Sequence, residues 1–283
     1  MNGRYGLFFT SHYYIHMELY FYFVGLYNLW EIKMNDPFQM QRELRYGAPV
    51  CDRILTGRNF SIGYSWYFRQ AKWTLEIINP LSDFVDHDVS RENHFRADLR
   101  IPKRFRASLK AYKHSGYDRG HLVASANQTE LKLQNSETFL LSNMSPQHKD
   151  LNRRMWADLE KAIRKLDENE DTLETYVLTC PIFDFTKKIK MIGDRNDDYG
   201  IDIPVPHAFI KSVLAEDYMG KLKLWTFQME NKKLTGSLED YLVNTYNAEQ
   251  YVGGRFWDRV AGGDLHKPKS EPIKMWNPET GEF

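Results

Sequence analysis

Five short runs rich in β-branched and aromatic residues, two early and three late, restrict this chain to a sheet-centred fold. Residues 60–67 and 71–78 read as strands joined by a polar turn, and residues 174–180, 208–214 and 223–229 read as three more. The long gap between the two groups carries helical patterning at 103–112, after Ile101-Pro102, and again at 152–166. Helix-like stretches at 238–243 and near Ala248 then lead into Gly253-Gly254. An apolar content of 42 % and an aromatic content of 14 % exclude a disordered chain, and 283 residues suffice for a sizeable core. No repeat at solenoid spacing is visible. The expected organisation is an N-terminal extension (1–45), one domain mixing helices and strands (46–262), and a polar, poorly ordered tail (263–283).

Residues 1–33 are dominated by Tyr, Phe, Leu and His. The longest apolar stretch, 19–29, is well short of the ~20 residues of a spanning helix. A secretory signal needs a cationic start and a small-residue cleavage site, and a mitochondrial presequence should be rich in Arg and Ser; neither pattern is recognisable. On that basis the protein is expected in the cytoplasm. Three readings of the segment stay open: an aromatic membrane-associating or partner-docking element, a packing extension, or a start at Met34, where ordinary globular composition begins.

Thirty-eight basic and thirty-eight acidic residues cancel, so the surface as a whole does not coat nucleic acid. Charge is nonetheless clustered. Arg100, Lys103, Arg104, Arg106, Lys110, Lys113 and Arg119 are opposed in that stretch by Asp118 alone, and Arg153, Arg154, Lys161, Arg164 and Lys165 form a second group. A solvated surface explains either cluster alone; both adjoin the residues with the most suggestive chemistry. Cys51 and Cys180 have no CxxC spacing, which speaks against a disulfide framework or structural zinc.

The first chemical block is Tyr117-Asp118-Arg119-Gly120-His121-Leu122. His121 suits a general base near neutral pH, and the Arg119 cation disfavours the imidazolium, keeping that base ready to accept a proton. Gly120 allows a close approach or a bend. The second block is the helix at 152–166. At about 100° per residue, Asn152, Trp156, Leu159 and Ile163 fall within about 40° of one line, the core face. Glu160 and Arg164, at about 80° and about 120°, flank it as neighbours one turn apart. An asparagine near a helix start is often an N-cap; Asp150 would cap equally well, leaving Asn152 available as an oxygen ligand. A base, a hard-metal ligand and clustered cations are what metal-assisted phosphodiester chemistry requires, since Mg²⁺ retains waters and needs few protein oxygens.

These residues carry a resemblance. Ser115-Gly116-Tyr117-Asp118-Arg119-Gly120-His121-Leu122, Ala124-Ser125-Ala126-Asn127, the run Thr138 to Gln147, Leu151-Asn152 and Trp156-Ala157-Asp158-Leu159-Glu160 are similar to the DNA/RNA non-specific endonucleases, and most similar to their endonuclease G group. Weaker matches are Tyr46-Gly47-Ala48-Pro49, Cys180-Pro181-Ile182-Phe183 and Val205 to Lys211, so the resemblance spans about 46 to 260. It implies an α+β, ββα-metal fold with a mixed central antiparallel sheet and flanking helices. It also implies sugar-non-specific hydrolysis of DNA and RNA by in-line attack of water, leaving a 5′-phosphate.

By the same resemblance His121 is the general base and Asn152 the sole protein ligand of Mg²⁺, with Mn²⁺ as a substitute. Glu160 holds a metal-bound water, Arg119 and Arg164 contact the phosphate, and Asn143 supports the site. Arg153 and Arg154 are expected to bind substrate. Homodimers are common in the family, and a nuclease this unselective calls for an inhibitor protein or export. Val123, Ser125 and Cys180 depart from the family's usual small residues without touching the chemistry.

Overall fold

The computed structural model describes residues 41–78, 93–193, 200–260 and 265–282. The aromatic segment 1–33, with any membrane-associating or docking role, lies outside the described residues. Arg42–Phe283 forms one unit. Its first strands are β1 (Arg53–Thr56), β2 (Phe60–Ser65) and β3 (Gln70–Ile77). Next, β4 (Asp118–His121) and β5 (Met144–Gln147) pair, among the described residues, only with each other. The chain returns with β6 (Thr172–Ile182), forms a small ribbon from β7 (Met191–Gly193) and β8 (Asp202–Pro204), and finishes with β9 (Ala208–Asp217) and β10 (Leu222–Glu230). The main sheet has order β1-β2-β3-β6-β9-β10, antiparallel throughout.

The helices are α1 (Leu109–Tyr112), α2 (Lys132–Glu137), α3 (Trp156–Asp167), α4 (Thr245–Val252) and α5 (His266–Ser270). Both faces of the sheet are covered, and strand alternation shows how. Phe209 and Val213 of β9 point to the side where Trp156, Leu159 and Ile163 of α3 pack. Ile210 and Leu214 point to the other, against Ala248 of α4, Phe256 and Trp257. This is the α+β architecture, an antiparallel sheet with flanking helices.

Two helix expectations change. Residues 103–112 are not one helix: a 3-10 turn, Lys103–Phe105, stops at Arg106, and Ser108 then caps α1 by accepting from the Ala111 N–H at 3.4 Å. Serine competes with helical backbone in this way and favours caps over helix interiors. The segment at 238–243 is likewise a 3-10 turn, Glu239–Tyr241, while the helix near Ala248 forms as α4.

The C-terminal residues correct the reading of a poorly ordered tail. Lys269 of α5 is buried in an ion pair with Glu249 at 2.8 Å. Trp276 is 1 % exposed, meets Trp225 edge-on at 4.9 Å and donates its indole N–H to the Ala162 carbonyl of α3 at 2.9 Å. A single large aromatic outweighs the polar residues around it, because it removes far more apolar area from water than they do. Trp276→Ala is expected to lower stability by about 3–5 kcal/mol in urea denaturation; a loss below about 1 kcal/mol would mean the segment does not brace α3.

Candidate active site

The β4–β5 ribbon pairs His121 with Met144, Gly120 with Ser145, Arg119 with Pro146 and Asp118 with Gln147. Arg119 and His121 share one face of it. The Arg119 guanidinium lies 4.1 Å over the Phe95 ring, and the His121 imidazole is wedged between Phe95 and Phe139, at 5.6 and 4.9 Å. Gly120 faces the other way. A Cβ there would stand 2.2 Å from Gln147 Oε1 and 2.6 Å from Gln147 Cβ. The close approach foreseen for Gly120 is therefore real, and its partner is a buried side chain rather than backbone.

The helix that follows does not begin as an α-helix. Leu151–Met155 is a π-helical turn, in which the Trp156 N–H donates to the Leu151 carbonyl five residues back. The wider turn takes Asn152 off the α-helical wheel, so it is half-buried while Trp156, Leu159 and Ile163 are fully buried. Neither Asp150 nor Asn152 caps with its side chain. Instead Asn152 Nδ2 donates to Asp118 Oδ2 at 3.0 Å, and Arg153 grips the same carboxylate through two bonds of 2.8 Å. Burial raises the Asp118 carboxyl, but the Arg153 and Asn152 hydrogen bonds outweigh it and hold the group below the usual carboxylate range. An acceptor-only carboxylate claims the amide nitrogen, so the Asn152 oxygen is the atom left for a ligand.

Asp118 thus ties β4 to the helix, and one cleft of about 850 Å³ collects Arg119, His121, Asn152, Arg153 and Glu160 together with Lys110 and Lys113. The remaining sequence candidates stand outside its lining. Arg164 donates to Asn127 Oδ1 at 2.9 Å. Arg154 is exposed, 4.0 Å from Asp150. Asn143 is fully buried; it accepts from the Val123 N–H and donates to the Val123 and Thr138 carbonyls, each at 2.9 Å, clamping the chain just after His121. Sequence reading counted Asp118 only as an opposing charge. Its partners lie 34 and 35 residues away, a relation no local pattern signals.

Behind the cleft runs a second polar group that sequence reading also passed over. Glu76 is 1 % exposed and accepts from Asn127 Nδ2 and Gln128 Nε2, each at 3.2 Å. Burial pushes it up to about 7, against the pull of Lys211, Gln128 and Asn127. A charged residue inside an apolar strand run was the available signal, for Glu76 and Lys211 alike.

Among the described residues no group of three or more His, Cys, Asp or Glu could hold a metal. One amide oxygen with one nearby carboxylate instead suits a hard cation that keeps most of its waters.

Residues 42–262 match the model of the DNA/RNA non-specific endonuclease family. The chain belongs to this family. It is 32 % identical to a mitochondrial endonuclease G of Caenorhabditis elegans over 72 % of this chain and 67 % of that protein. A nuclease of Syncephalastrum racemosum is 33 % identical, over 75 % and 69 %. Among solved structures, the crystal structure of the EndoG/EndoGI complex aligns with a TM-score of 0.68 and 28 % identity, covering 80 % of this chain and 94 % of that one. The protein is a nuclease, a hydrolase of nucleic acids within the α+β, ββα-metal fold, and nucleases of this family are generally metal-dependent.

Gly120→Ala must displace Gln147 or β4 and is expected to cost about 1–3 kcal/mol, read as a lowered thermal midpoint; unchanged melting would mean that Gln147 yields freely. Glu76 sets a pH dependence. Its folded pKa lies above its unfolded value, so its contribution is greatest below about 4.5 and is lost as pH rises through about 7. Urea denaturation across that window should show stability falling with rising pH, and Glu76→Gln should flatten the fall. A slope identical in the two proteins would exclude Glu76 as its source.

Proposed function

We propose that the protein is a Mg²⁺-dependent, sugar-non-specific endonuclease that hydrolyses phosphodiester bonds of DNA and RNA. The observation that carries this reading is the Asp118 tie, which occupies the Asn152 amide nitrogen and leaves its oxygen as the ligand atom, on a residue that lines the same cleft as His121. In that cleft His121 removes the proton from the attacking water, and its aromatic walls hold the ring in one plane. Arg119, stacked on Phe95, presents a fixed cation to the phosphate. Lys110 and Lys113 add positive charge along the nucleic-acid backbone.

Asn152 would hold the cation and Glu160 would orient one of its waters. When bound, Mg²⁺, or Mn²⁺ with the same preference for oxygen, supplies positive charge to the phosphate and the leaving oxygen. Arg154 and Arg164 reach substrate only where it runs past the rim, since neither lines the cleft. Arg153 acts through Asp118, which it grips with both nitrogens. Water attacks in line and the product carries a 5′-phosphate. An inhibitor protein is the partner this reading favours, in keeping with the EndoG/EndoGI complex found among the structural relatives.

Supercoiled plasmid and single-stranded RNA should both be cut with Mg²⁺ and spared with EDTA. His121→Ala should lower kcat by about 10²–10⁴-fold while binding survives. Binding without cleavage by the wild-type protein would make it an inactive nucleic-acid-binding relative. Wild-type rates in His121→Ala would remove the base assignment.

A further inference from the structure

Lys211 lies in the middle of β9 and is 1 % exposed. Alternation along the strand places it on the face of Phe209 and Val213, beneath α3. Its Nζ donates to Thr179 Oγ1 at 3.0 Å, on the residue opposite it in the β6–β9 register. The same Nζ lies 3.5 Å from the carbonyl oxygen of Leu122, the residue after His121. It also sits 4.6 Å over the Trp156 ring. Trp156 is midway between Asn152 and Glu160 in the chain, one helical turn from each. A single ammonium therefore touches the end of the His121 strand and the first residue of α3, where the π turn bearing Asn152 meets the helix bearing Glu160.

Such a charge is costly to bury, and an apolar residue of similar volume would fill the space at less cost. Burial disfavours the charged form of Lys211; Glu160 and Glu76 favour it, and Arg164 opposes it. The ammonium thus lies in the field of a cleft carboxylate and of the carboxylate behind it.

We propose that Lys211 is a positioning residue for catalysis, its buried charge locking the His121 strand end to the Asn152–Glu160 helix. The assignment rests on the nuclease reading above. It makes no contact with substrate, so its effect belongs in kcat rather than in KM.

The experiment compares wild type, Lys211→Met and the double variant Lys211→Met/Glu76→Gln, following plasmid cleavage with Mg²⁺, thermal midpoint, and binding of uncut DNA in EDTA. Lys211→Met should lose ~100-fold in kcat with KM within about threefold of wild type, and should melt earlier. The double variant removes the carboxylate left unpaired, so its melting should recover while its kcat stays low and its binding in EDTA stays at the wild-type level. If Lys211→Met is too unstable to purify, the double variant carries the test. Recovery of kcat together with melting would overturn the proposal, since Lys211 would then serve only to neutralise Glu76. Wild-type kcat in either variant would overturn it as well. A wild-type protein that cuts nothing would instead overturn the nuclease reading, and the positioning role with it.

Discussion

The burial of Trp156, Leu159, Ile163 and Leu166 against the central sheet decides where everything else in this protein can stand. Each such side chain contributes about 1.5–3 kcal/mol when removed from water, enough together to pin α3 in one rotation about its axis. Glu160 is carried to the flank of that buried face and so to the cleft. The indole N–H of Trp276 reaches the Ala162 carbonyl and braces the same helix.

Packing alone does not place Asn152. The π turn takes it off the buried line, and Asp118 then takes hold of its amide nitrogen. Asp118 also binds Arg153 bidentately, which offsets the cost of a partly buried carboxylate. Two elements far apart in the chain are joined by one acceptor, and the geometry of the cleft is as rigid as that junction. Asn143 does the equivalent work on the other side, holding Val123 through backbone hydrogen bonds so that the chain leaves His121 in a fixed direction.

Polar groups beneath the cleft follow a different logic. Glu76, Lys211 and Thr179 occupy strand positions where alternation calls for apolar side chains, and Asn127 is buried beside them in a 3-10 turn. Each is bonded to another of the set or to Arg164, Gln128 or the Leu122 carbonyl. Polar groups buried in this manner are tolerated only when they are connected, and in return they specify one arrangement of the groups above them.

Five of the six main-sheet strands (β2, β3, β6, β9 and β10), the amphipathic face of α3 and the catalytic blocks were legible in the sequence because each is a short-range pattern. Period-two alternation marks β9, and near-100° spacing marks Trp156, Leu159 and Ile163. His121 and Asn152 were legible as candidates through the motif and family resemblance. What the sequence alone could not decide was whether Asn152 caps a helix or faces a cleft, because its partner Asp118 is 34 residues away. The same reason hid the packing of Trp276, whose contacts Ala162 and Trp225 are equally remote, and the role of Lys211, which depends on three elements meeting at one ammonium. Local chemistry determined which residues were available for catalysis; tertiary structure decided which of them share a cleft, because hydrogen bonds and ion pairs act over a few ångströms of space and take no account of distance along the chain.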